Sequence, residues 1–317
     1  MEQVLIMGLG FIATNLAKHL TNRGFEVHVT YRSTNGSKAL MIKDLMDLNV
    51  RLHKLDPGNY DEVLRLMNEI KPKYVFNTVG LLGGSWNELW QAHVEVPRNI
   101  ARAIINTDKS IKFIHISASA AAGKIGNFIK EEPDHCNYTY VKPSGDYERS
   151  KCDGERAISG LGSEGLNYVI VRPTLVYGYY NDHDQFLTLY KAIKRGLVPI
   201  IRGYLNAIYV GYLVKLLESI AVNNEVKNTF LYATECTMYS LSDFSQLMAN
   251  YLGVKGIKLP IPTGLISLFL PSSARGLLKY LGVQYSCEFM RKFIGDVEPA
   301  ISIGVKEMVD WIKRVHG

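Results

Sequence analysis

Short apolar runs alternate with amphipathic stretches along the first 180 or so residues of the chain. Residues 4–7 form an apolar run that stops at Gly8, the length and ending of a buried strand. Ile12, Leu16 and Leu20 then recur at helical spacing across Phe11–Asn22, with Gly24 placed to cap that helix. The same reading predicts strands at 27–30, 51–55, 74–78, 112–117 and 168–171. It predicts helices at 61–70, 88–106 and 147–159. Strands and helices alternating through most of this stretch imply an α/β protein with a Rossmann-type doubly wound parallel sheet. Beyond Gly178 the alternation loosens into helices at 184–195, Val210–Val222 and 242–252, and Pro260, Pro262 and Pro271 then punctuate a stretch read as irregular. The expected organisation is a dinucleotide-binding domain over 1–178. Residues 179–317 are mainly a smaller C-terminal substrate lobe, some of whose elements return to the sheet. No repeat, low-complexity tract or flexible linker separates the two parts, so they are expected to share an interface.

The first chemistry lies where the first strand meets the first helix. Gly8-Leu9-Gly10-Phe11-Ile12-Ala13 reads G-x-G-x-x-A in a strand–turn–helix setting. The first glycine permits the tight turn, the second lets the backbone approach a pyrophosphate, and the small third residue lets helix and strand pack closely. The helix N-terminus adds unpaired N–H groups and a positive dipole end. At the end of the second strand stands Arg32, with no carboxylate to accept from ribose hydroxyls. A guanidinium grips a 2′-phosphate, so the charge favours NADP over NAD. Asp56, after the third strand, is placed to meet the adenine. The turn Asn77-Thr78-Val79-Gly80 is placed to let the cofactor pass close to the backbone.

Composition narrows the classes. Hydrophobic residues are 47% and charged residues 21%, ordinary for a globular protein, and the formal charge of +6 is mild. Basic residues are scattered, which suits an anionic small molecule better than a nucleic acid. Cys136, Cys152, Cys236 and Cys287 lie far apart and form no CxxC or Cys/His cluster. That argues against a metal site or a disulfide framework and for a reducing, cytoplasmic setting. The apolar stretch 264–270 ends at Pro271 and is too short to span a bilayer, though long enough to line a greasy pocket or touch a membrane surface.

Tyr147 and Lys151 stand four residues apart, on one face of a predicted helix. A phenol with an ordinary pKa near ~10 is a poor base at neutral pH, and a neighbouring ammonium together with a positive nicotinamide favours the phenolate.

With that pair the chain resembles the extended short-chain dehydrogenase/reductase superfamily, the NAD-dependent epimerase/dehydratase group. The resemblance runs along nearly the whole length. It is carried by the N-terminal glycines, Tyr147-x-x-Ser150-Lys151, Phe113-Ile114-His115-Ile116-Ser117, Val171-Arg172-Pro173-Thr174-Leu175-Val176-Tyr177-Gly178, and a closing helix with Trp311. It implies Tyr147 as acid/base, Lys151 as its partner and ribose anchor, the Pro173 backbone near the nicotinamide, and a homodimer packed through the helix at 88–106 and the one bearing Tyr147.

The chain also departs from the family's pattern. Where members carry a Ser or Thr that bonds the substrate oxygen, Ala118 stands, and strand alternation turns Ser117 to the opposite face. Ser119 is the expected substitute. Dehydratases carry an Asp-Glu pair just after that position, and here the residues are Ser119 and Ala120, which disfavours dehydration. Relatives that bind UDP-sugars usually carry an Asn at Leu175, an Arg near Leu205 and an Asp near Tyr212, all altered here. Arg202, Tyr179, Tyr180 and His183 are candidates for a different polar pocket. Three functions remain open: hydride transfer at a secondary alcohol or ketone, sugar epimerisation, and dinucleotide sensing without chemistry.

Overall fold

The computed structural model describes residues 1–130, 136, 143–262 and 275–317. The apolar stretch 264–270 lies outside the described residues. Seven parallel strands form the central sheet: β1 (Gln3–Met7), β2 (Glu26–Tyr31), β3 (Arg51–Lys54), β4 (Tyr74–Asn77), β5 (Lys112–Ile116), β7 (Asn167–Pro173) and β11 (Thr229–Ala233). Their order across the sheet is β11-β7-β5-β4-β1-β2-β3, all paired parallel. The chain moves outward from β1 to β3 and then crosses back to β4, so a crevice opens at the carboxyl ends of β1 and β4.

Alternate residues of β1 feed two cores. Val4 and Ile6 pack with α1 (Phe11–Asn22) and α8 (Val210–Val222) on one face. Leu5 and Met7 pack with α3 (Tyr60–Ile70) and α5 (Val96–Thr107) on the other. Burial on both faces is why the strand is continuously apolar, each such side chain contributing roughly 1.5–3 kcal/mol. The helix α2 (Ser37–Met46) was not expected. Only Met41 and Leu45 are buried in it, one turn apart, too weak a stripe to announce a helix.

The predicted long helix divides in three. α4 (Trp86–Trp90) runs through a π-helical turn, Gln91–Glu95, into α5. The catalytic-motif helix is α6 (Asp146–Gly160). The remaining described strands are β6 (Phe128–Ile129), β8 (Leu175–Tyr177), β9 (Leu197–Ile201), β10 (Tyr204–Tyr209), β12 (Met238–Ser240), β13 (Ile257–Ile261) and β14 (Gln284–Tyr285). They build one three-stranded and two two-stranded sheets, with α7 (Asp184–Lys194) and α9 (Leu241–Leu252) packed against β9. α10 (Glu288–Ile294) and α11 (Ile301–His316) close the chain, and the Trp311 of α11 is fully buried.

Two expectations are corrected. Residues 257–261, read as irregular because of Pro260, form β13, paired in parallel with β9 in a sheet of two strands among the described residues. Each is an edge strand, where a missing N–H is tolerated. Cys236 and Cys287 form a disulfide across 51 residues, with their Cα atoms 5.4 Å apart. The fold brings the loop after β11 against the segment after β14, a proximity that spacing along the chain does not reveal. Cys136 and Cys152 also meet, as buried neighbours beside Ala121. Among the described residues no helix is long and apolar enough to cross a membrane, and no group of His, Cys, Asp and Glu is arranged to hold a metal.

Candidate active site

The glycine turn sits in the crevice the topology creates. Gly8 has φ +96°, and a Cβ there would meet the Val79 side chain at 2.6 Å. Its N–H donates to Thr30 Oγ1 at 2.9 Å, and the Thr78 hydroxyl donates to Gly8 O at 2.7 Å. The turn is therefore tied to both neighbouring strands. Gly10 is the N-cap of α1 in extended backbone, and a Cβ there would meet nothing within 4 Å. No side chain caps this helix and its first turn holds no acidic residue. The first amides of α1 thus face open space under a positive dipole end, which suits a pyrophosphate. Phe11 is buried with its ring edge on His183, 5.9 Å between centroids, and Ile12 is partly buried against the same core.

At the end of β2, Arg32 is exposed. The half-buried Lys38, in the first turn of α2, is its neighbour: burial and then the Arg32 charge lower the Lys38 pKa. Two cations thus converge where an acid would discriminate for NAD. Sequence reasoning found only the first, because Lys38 belongs to the helix it missed. Asp56 is exposed after β3, and its Oδ1 accepts from Gly58 N–H at 3.0 Å. Pro173, buried, ends β7.

Tyr147 and Lys151 stand one turn apart on α6, as their spacing predicts. Lys151 is 5% exposed, and its Nζ donates to Ile116 O at 3.3 Å. A Cβ on Gly80 would lie 3.3 Å from that Nζ, so the ammonium reaches the turn after β4. Burial pushes Lys151 down to about 8, opposed by the Glu155 carboxylate. Burial pushes half-buried Tyr147 up to about 12. At neutral pH Tyr147 is a protonated donor and Lys151 a cation.

His93, which sequence reasoning missed, binds these parts together. The π-turn carries it against α6, where its ring stands edge-on to Tyr147 at 5.5 Å. Its Nε2 accepts from Leu81 N–H at 3.0 Å, so Nδ1 holds the proton and donates to Ser150 Oγ at 2.8 Å. Ser150 in turn donates to Tyr147 O at 2.9 Å. Burial, then the Lys151 and His115 charges, hold His93 down at about 2, so it stays neutral. A lone histidine on a helix gives no warning of this. The nearest signal is Gly154, whose added Cβ would lie 1.9 Å from His93 O; a glycine inside a helix marks such an approach.

Ser117 faces away from Ala118, as strand alternation requires. Its hydroxyl donates to Glu155, which pairs with Arg172, both carboxylate and guanidinium being buried. Ser119 is half-buried and opens a short 3-10 turn, Ser119–Ala122, packed on α6. Its neighbour is the Tyr285 side chain. The tyrosine–histidine–arginine pocket does not assemble. Tyr179 and Tyr180 meet the Trp311 ring at steep angles, Tyr180 donates to Asp44, and His183 packs edge-on with Phe11. Arg202 lies apart from them, exposed in a cavity of about 430 Å³ with Tyr204, Ser240 and Ser242. Leu205 is buried, and Tyr212 donates to Glu298 O, so neither supplies the polar group of UDP-sugar binders.

A Rossmann crevice with a Tyr–Lys helix beside it defines a dinucleotide-dependent enzyme, and comparison with known proteins gives the family. The model of the NAD dependent epimerase/dehydratase family matches residues 4–233, and the chain belongs to that family. No curated protein matches the sequence. The fold is similar to that of UDP-glucuronic acid 4-epimerase from Bacillus cereus, solved with NAD, at 17% identity and TM-score 0.78 over 99% of this chain and 100% of that one. It is likewise similar to dTDP-glucose 4,6-dehydratase from Bacillus anthracis, solved with NAD, at 13% identity and TM-score 0.78 over 100% and 98%. A third is UDP-glucose 4-epimerase from Thermotoga maritima, solved with UDP-glucose, at 18% identity and TM-score 0.77 over 98% and 99%.

Proposed function

We propose that this enzyme transfers hydride at a secondary alcohol or ketone carbon, with Tyr147 as acid/base and Lys151 as its charged partner. The observation that carries this reading is the buried Lys151 ammonium reaching Gly80 at the mouth of the crevice, one turn from Tyr147. A bound nicotinamide supplies or accepts the hydride. In the reducing direction Tyr147 donates its proton to the substrate oxygen, and the Lys151 charge stabilises the phenolate left behind. The His93–Ser150 chain holds the α6 backbone at Tyr147 so that the phenol keeps its aim. Ser119, at the start of the turn after β5, is assigned the second bond to that oxygen. Purified protein with NADPH and a panel of ketones and keto-sugars, followed at 340 nm, tests the reaction directly. Retained turnover in Tyr147→Phe sinks the acid/base assignment.

The pH dependence follows from the two groups. Tyr147 remains protonated below about 12 and Lys151 is charged only below about 8. Reductive kcat/KM is therefore expected to be flat at neutral pH and to fall as pH rises through about 8, where the ammonium is lost. A profile that climbs through pH 8 contradicts this.

For the cofactor we infer NADP over NAD, supported by Arg32 with Lys38 beside it. Arg32→Ala is expected to weaken NADPH binding by roughly 10–100-fold, the loss of one charge-assisted phosphate contact, and to leave NADH unchanged. Fluorescence titration with both cofactors decides; equal losses for the two remove the 2′-phosphate from the argument.

A second reading, sugar epimerisation, is supported by the likeness to nucleotide-sugar epimerases. It predicts cofactor retained through purification and isomer formation with no net change at 340 nm. The altered Leu175, Leu205 and Tyr212 positions weigh against the usual UDP-sugar contacts.

A further inference from the structure

The C-terminal lobe has an uneven charge distribution. Between Asp184 and Glu218 the sequence holds no Asp or Glu, and none occurs between Asp243 and Glu288. These two acid-free segments are the ones that fold against each other. β9 comes from the first and β13 from the second, and they pair in parallel as a separate two-stranded sheet.

One face of that sheet is covered along β9, and the other is covered at one end, where Ile201 and Ile261 are buried with Leu241 and Leu278, and open at the other. Val198 is buried and Ile200 partly so, both packed into the lobe's core with α7 and α9. The alternate residues point the other way. Ile257 stands opposite Leu197 in the register, and Leu259 lies two residues on. Their exposures are 72%, 42% and 41%, on a face where a soluble edge ordinarily presents polar side chains. The rim is cationic: Lys194 and Arg195 end α7 just before β9, and Lys255 stands two residues before Ile257, all three exposed. With no carboxylate in either segment, the local field is positive.

We propose that this face docks the enzyme on an anionic lipid surface. Apolar side chains ringed by Lys and Arg are what an interface-bound element presents, the apolar groups entering the headgroup boundary and the cations meeting anionic headgroups. A nucleic acid is the poorer match, because the centre of the patch is aliphatic and lacks the aromatic platforms and arginine forks that read bases and phosphates. The function implied is delivery of the active site to substrates held at a membrane, with the open end of the β9–β13 face as the contact side and α7 and α9 behind it.

The test is co-sedimentation of the full chain with sucrose-loaded vesicles of phosphatidylcholine alone or with about one third phosphatidylglycerol. Binding is expected to the anionic vesicles only, and to fall on raising salt from 50 to 500 mM. Ile257→Glu with Leu259→Glu is expected to abolish it. Arg195→Glu with Lys255→Glu is expected to weaken it at least roughly 25-fold, about fivefold for each cation. These residues lie outside the crevice, so cofactor binding and thermal melting, measured in parallel, are expected to be unchanged and report that the fold survives. No binding by the intact chain, equal binding by the apolar variants, or tighter capture by duplex DNA than by anionic vesicles overturns the proposal.

Discussion

Replacing Tyr147 with phenylalanine is expected to lower turnover by roughly 10²–10⁴-fold, the usual contribution of a positioned proton donor. The variant keeps the ring and loses one oxygen. The ring's contact with His93 survives, and so does the chain from His93 through Ser150 to the Tyr147 carbonyl, because those bonds run through the backbone. Cofactor affinity is therefore expected to stay within about twofold, since Lys151 and the Gly8 turn are untouched by removal of a proton donor. The informative comparison is kcat against dissociation constant. A loss in both means that the phenol shapes the cofactor site, and a loss in neither removes it from the chemistry.

Glu155→Gln is the second large effect, and it acts through stability as well as through the site. Glu155 sits one turn beyond Lys151 on α6 and pairs with Arg172 on β7, accepting the Nε proton at 3.0 Å on each oxygen. Both side chains are almost fully buried, and Arg172 also lies over the Phe230 ring at 4.0 Å. A neutral amide leaves the guanidinium buried without its counter-charge, which costs about 3–5 kcal/mol. In a chain of this size that lowers the melting temperature by on the order of 10 °C. The same carboxylate is what raises the Lys151 pKa against burial. Its loss is expected to move the alkaline limb of kcat/KM to lower pH. A merely structural role would reduce the melting temperature and leave the limb in place. A melting temperature unchanged to within a degree or two would show that the pair is not holding α6 to the sheet.

The two predictions share a geometry that explains why the active helix is where it is. α6 is pinned to β5 and β7 by Glu155, and to the π-turn by Gly154 and Ser150. Tyr147 and Lys151 project from the same helix, so their aim is set by contacts made on either side of them.

Much of this was legible in the sequence. Phe11–Asn22 and Val210–Val222 stand where the helical spacing put them, because an amphipathic stripe bounded by glycine or by turn residues encodes its own ends. The Gly8 turn and the Tyr147–Lys151 spacing are local as well. Local geometry, a positive φ or one helical turn, depends on residues a few positions apart, and sequence carries it directly.

What the sequence did not disclose depends on elements distant along the chain. Lys38 joins Arg32 only because a weakly amphipathic segment folds as α2. His93 reaches Ser150 only because a π-turn lets two helices close to a distance that Gly154 alone permits. Cys236 finds Cys287 across 51 residues, and Pro260 enters a strand because β9 supplies a partner. The burial that raises the Tyr147 pKa is equally distant from the sequence, since charge neighbours can be guessed from spacing but desolvation is a property of everything packed around the group. The sequence by itself determined the sheet, the glycine turn and the one-turn spacing of Tyr147 and Lys151. The tertiary structure decided the protonation of that pair, its supports, and which apolar face was left uncovered, because burial and long-range contact exist only once the chain has closed on itself.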